Sequence, residues 1–68
     1  MNTIDAAVNH AAKNLPEGCR IIISIEKDGY GVELAVPAGE NTKQIIGMSQ
    51  ESLIDDIVVG TDEAKSYL

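Results

Sequence analysis

Cys19-Arg20-Ile21-Ile22-Ile23-Ser24-Ile25-Glu26-Lys27-Asp28-Gly29-Tyr30-Gly31-Val32-Glu33-Leu34-Ala35-Val36 is a pair of β-prone runs joined at Asp28-Gly29. Asp-Gly is a strong hairpin signal, because a type I′ turn requires positive φ at both central residues. With Asp28 and Gly29 as the loop, Ile25 opposes Val32, Ile23 opposes Leu34 and Ile21 opposes Val36. Six apolar side chains then share one face, while Ser24 meets Glu33 and Glu26 meets Gly31 on the other. Turn chemistry and apolar pattern agree, which predicts an antiparallel hairpin.

A hairpin is not stable alone, so its apolar face needs helices. Upstream, Ile4, Val8, Ala11, Ala12 and Leu15 recur at helical spacing. Asn2 or Thr3 can cap this helix, Asp5 suits its first turn, Lys13 lies near its end, and Pro16 and Gly18 stop it. The spacing predicts a helix over roughly 3–15. Downstream, Pro37-Ala38-Gly39-Glu40-Asn41 reads as loop. Thr42 to Met48 reads either as a short third strand with Ile45 inward or as the first turns of a helix weakened at Gly47. Ser49 then suits an N-cap, Glu51 the first turn, and Leu53, Ile54, Ile57 and Val58 one helical face. Gly60 fits the C′ position. Thr61, Asp62 and Glu63 restart a short last helix or a frayed tail, with Tyr67-Leu68 as its apolar anchor.

The expected fold is one small α+β domain over 1–68 in two layers. Its order is helix, β-hairpin, an undecided third strand, then helix, with the helices on one face of a small antiparallel sheet. The far face carries Ile22 and Ala35 beside Arg20, Ser24, Glu26 and Glu33. That mixed surface suits solvent or another subunit, and the hairpin's outer edges stay open to strand pairing.

Bulk properties narrow the function classes. The chain has 68 residues and is 44% apolar, with two Tyr and no Phe or Trp. That is too aliphatic for a disordered segment. Its longest apolar runs, Ile21 to Ile23 and Ile57 to Val59, fall far short of the ~20 residues of a membrane span. The opening Met1-Asn2-Thr3-Ile4-Asp5 lacks a basic n-region and an apolar h-region, so no export signal is expected. Cys19 is the single cysteine, which excludes an internal disulfide and points to a reduced, cytoplasmic setting. Below 70–80 residues one core rarely yields more than ~3–5 kcal/mol, so a homodimer is expected to complete it.

The net charge is −6, and residues 44–68 hold five acids against Lys65 alone. Such a surface repels phosphate backbones and anionic lipid and attracts basic surfaces. If 42–48 is a strand, helix–three strands–helix resembles the topology of the double-stranded RNA-binding domain. The resemblance implies phosphate contacts from a lysine-rich motif at the start of the last helix. The matching stretch here, Ser49-Gln50-Glu51-Ser52-Leu53-Ile54-Asp55-Asp56, is acidic. Shape without charge cannot supply those contacts, so direct nucleic-acid binding is not expected.

Groups that carry chemistry are sparse. His10 lies across a short loop from Cys19, so contact in a nucleophilic dyad is possible, but no catalytic signature surrounds either residue. The plainer reading is a part-exposed helical histidine and a small buried thiol. Glu51, Asp55 and Asp56 lack zinc or calcium-loop spacing and read as a solvated acidic face. Gly29-Tyr30-Gly31 sits at a hairpin tip, away from any helix N-terminus that would cradle phosphate. Neither an enzyme nor a cofactor or metal site is expected.

The expected function is therefore a small acidic protein–protein interaction module, of the kind found among phage and mobile-element regulators and inhibitors. Its acidic residues, Glu51, Asp55, Asp56, Asp62 and Glu63, would engage the basic surface of a nucleic-acid-binding protein, charge mimicry of nucleic acid being one form of this. Tyr30 at the hairpin tip is a second candidate contact. The alternative is a self-assembling structural subunit whose acidity serves solubility.

Overall fold

A computed structural model describes residues 3–48 and 52–67. The order is helix α1 (Ile4–Asn14), strands β1 (Arg20–Glu26), β2 (Gly29–Gly39) and β3 (Thr42–Gly47), helix α2 (Leu53–Ala64) and a terminal 3₁₀ turn, Lys65–Tyr67. The strands form one antiparallel sheet in the order β1-β2-β3, so Thr42–Gly47 is the third strand rather than the start of a helix. The chain is thus a small α+β fold, as its pattern predicts.

The hairpin forms in a different register. Glu26 pairs with Gly29, Ile25 with Tyr30, Ile23 with Val32 and Ile21 with Leu34, which makes Lys27-Asp28 the loop. The slip is two residues, and side chains alternate with period two, so the expected faces survive the wrong pairing. The cause lies in the turn. Asn41 is the only non-glycine with positive φ among the described residues, so Lys27 and Asp28 cannot form type I′. Of Lys27, Asp28 and Gly29, only Gly29 takes positive φ, at 144°, just past the loop. An aspartate held there would be strained, and a glycine is not.

Pro37 to Gly39 continues β2 instead of forming a loop, and only Glu40-Asn41 connects it to β3. Asn41 has φ 64°, within reach of a short side chain that can bond its own backbone. The β2–β3 ladder pairs Pro37 with Lys43 but Gly39 with Thr42, leaving Ala38 as a one-residue bulge. This bulge corrects the inward assignment of Ile45. It brings Ile46 opposite Leu34 on the inner face and leaves Ile45 on the outer face, 51% exposed.

Helix α2 also departs from expectation. Ser52 is its N-cap, its hydroxyl accepting from the Asp55 N–H at 3.0 Å. The expected cap Ser49 and first-turn Glu51 lie outside the described residues. The helix runs through Gly60 without a break, so Gly60 is no C′ residue and Thr61 starts nothing. A Cβ at Gly60 would lie 3.2 Å from Met48 Sδ and 3.5 Å from Ile21 Cδ1. The missing side chain lets α2 press onto the sheet. Thr61 is buried, and its hydroxyl donates to the Ile57 carbonyl at 2.7 Å.

Both helices lie on the inner side of the sheet. Leu34, Val36 and Ala64 form one buried cluster, joined by Cys19, Ile21, Ile46 and Met48. Ala7, Ala11 and Ile57 form the other, where α1 meets α2. The predicted stripe of α1 is therefore rotated. Its small residues face α2, because alanines let the helices approach closely, and Ile4 and Val8 remain 43% and 47% exposed. Thr3 caps α1, its hydroxyl accepting from the Ala6 N–H at 3.1 Å. Lys43 ties β3 to the α1–β1 loop by donating to the Gly18 carbonyl at 2.6 Å.

Candidate interaction surfaces

Two surfaces emerge from this packing. The first is the outward face of α2. The core takes Ile57, Gly60, Thr61 and Ala64 from this helix. At 3.6 residues per turn, Asp55, Val59, Asp62 and Glu63 then point away from the sheet along two turns. All four are exposed. Asp62 is partly engaged: its Oδ1 lies 3.5 Å from His10 Nε2 and 3.9 Å from Lys65 Nζ. Asp55 and Glu63 have no ion pair among the described residues.

The expected acidic set does not come together whole. Asp56 is only 3% exposed and turned toward the body of the molecule. Its Oδ2 has no hydrogen-bond partner among the described residues. Asp55, Asp62 and Glu63 share the outward face, while Glu51 lies outside the described residues. Asp56 lies next to Asp55 in sequence, but it is buried while Asp55 is exposed, so the two do not act as one face.

The second surface is apolar. Val8, Ala11 and Ala12 of α1, with Leu15 just past its end, face Ile21 and Ile23 of β1 across a groove of about 250 Å³, floored by Ile57. Ile25 continues it toward the hairpin tip and is 78% exposed. Beside the groove runs the free edge of β1. Tyr30, opposite Ile25, is half-buried on the same inner face and does not stand clear of the tip. The sequence signal for this surface is the same stripe that predicts α1. Periodicity finds an apolar face but does not say whether a neighbour within the chain covers it.

His10 and Cys19 sit in different surroundings. His10 Nδ1 lies 3.3 Å from Asn14 Nδ2, which also donates to the His10 carbonyl at 2.8 Å. An amide nitrogen can only donate, so Nδ1 is the acceptor in this contact, while Nε2 is buried without a hydrogen-bond partner among the described residues. Cys19 packs beside the Leu34 and Val36 cluster. Among the described residues, no three His, Cys, Asp or Glu side chains group to hold a metal ion. No helix of the described residues is long and apolar enough to cross a membrane. No family model, no curated protein and no solved structure matches this chain.

Proposed function

We propose that the chain is a small cytoplasmic interaction module, a regulator or inhibitor that presents the outward face of α2 to a basic surface of a partner protein. The observation that carries this reading is the alignment of Asp55, Asp62 and Glu63 around the exposed Val59, on a molecule of net charge −6. A partly apolar ridge flanked by carboxylates gives a basic partner both steering charge and a contact to desolvate. The inner side of the same helix is committed to the core, so the carboxylates are held on a rigid element. A partner that normally grips nucleic acid has the complementary surface.

The test is the double variant Asp55→Lys/Glu63→Lys. Both side chains are exposed, so the fold should survive, at a cost of about 0.5 kcal/mol for a positive charge near the α2 N-terminus. Nuclease-treated host lysate is passed over each tagged protein in a salt series, and retained proteins are quantified by mass spectrometry. The expected outcome is one dominant basic partner held by the parent chain, lost as salt rises and weakened at least tenfold by the double variant. A dominant partner retained equally by both proteins would sink the α2 reading.

A further inference from the structure

We propose that the open edge of β1 and the groove beside it bind a second copy of this chain, the two β1 strands pairing antiparallel about a two-fold axis at Ile23. The argument begins with backbone direction. The Met48 N–H donates to the Val32 carbonyl at 2.9 Å, so the even-numbered residues of β2 face β3. Successive residues alternate, so the odd-numbered ones face β1, where their partners are Arg20, Ile22, Ser24 and Glu26. The N–H and C=O groups of Ile21, Ile23 and Ile25 therefore point to the open edge.

In a pairing centred on Ile23, those free groups meet their own kind. Ile23 exchanges hydrogen bonds with Ile23 of the second copy, and Ile21 with Ile25. On the outer face the same register sets Arg20 opposite Glu26 at both ends, in the closer, non-hydrogen-bonded type of pair. Both side chains are exposed, and neither has an ion pair among the described residues. Centring on Ile22 would put Arg20 against Ser24, and centring on Ser24 would put Ile22 against Glu26. Only the Ile23 register uses the whole strand and matches both charges.

The apolar surface supports the same occupant. The pairing would extend the sheet to six strands with all helices on one side. The inner row of Ile21, Ile23 and Ile25 would continue into its copy, and the groove containing Val8 and Ala12 would be prolonged across the axis. Strand β1 also lacks the internal lysine, proline or bulge that usually guards an edge. The inference does not use the α2 face, which stays free in such a dimer.

Sedimentation velocity over a concentration series to about 1 mM, in about 150 mM salt, reads the association constant. The proteins are the parent, Arg20→Glu, Glu26→Arg and the charge-swapped double variant, each checked by circular dichroism. A reversible dimer is expected, weakened about tenfold or more by either single reversal and restored by the swap, because each reversal turns two attractive pairs repulsive. A chain that stays monomeric at every concentration overturns the proposal and leaves the edge for a foreign strand. A dimer indifferent to both reversals, or not rescued by the swap, overturns it too, since the copies then meet elsewhere.

Discussion

Gly60 and Asp56 show how little the identity of a residue says until its neighbours are known. A glycine followed by a threonine and two acids has the grammar of a helix end and a new start. In the fold, Gly60 is interior, and the space its side chain would occupy belongs to Met48 and Ile21. Gly60→Val should therefore destabilise by ~1–3 kcal/mol through overpacking, although valine is the better helix former. Urea denaturation followed by circular dichroism measures this. An unchanged midpoint would mean that α2 does not press on the sheet at Gly60. Asp56 is next to Asp55 in sequence, yet its burial takes it off the interaction face.

At the scale of elements, composition predicts the strands and small local features choose their register. Parity protected the β1–β2 faces from a two-residue slip, whereas the odd shift introduced by Ala38 exchanged the roles of Ile45 and Ile46. Two substitutions separate the registers. Ile46→Ala should cost ~2 kcal/mol or more, because Ile46 packs beside the Leu34 cluster. Ile45→Ala, on the outer face, should cost about 0.5 kcal/mol or less. The reverse order of melting temperatures would show that β3 pairs without the bulge. The cap moved as well, to Ser52, since a capping hydroxyl must meet the N–H three residues on at the true start of the helix.

For the whole molecule, the deciding quantity is apolar surface left over. The Cα extents are 34 × 25 × 14 Å, a flat body in which α2 covers part of the sheet and α1 leans on α2. Ile4, Val8, Ile23 and Ile25 stay substantially exposed as a result. A core this small leaves the chain marginal, so any contact made only by the folded form feeds directly into stability. The melting temperature of the parent should therefore rise with protein concentration, and that of Arg20→Glu should rise less. Scanning calorimetry at two concentrations about a hundredfold apart checks this. Equal, concentration-independent melting in both would argue for a stable monomer.

The sequence by itself determined the helix–strand–strand–helix frame, the sign of the charge, and which side chains share each face of the hairpin. Those properties depend on period, composition and parity, all of which are local. Tertiary structure decided the rest: the pairing partner of each strand residue, which isoleucine of β3 points inward, whether Gly60 ends a helix or seats one, and which carboxylates reach solvent. It also decided that the apolar stripe of α1 is only half covered. Each of these depends on a contact between residues distant in the chain, and no periodicity within one segment encodes what the neighbouring segment covers.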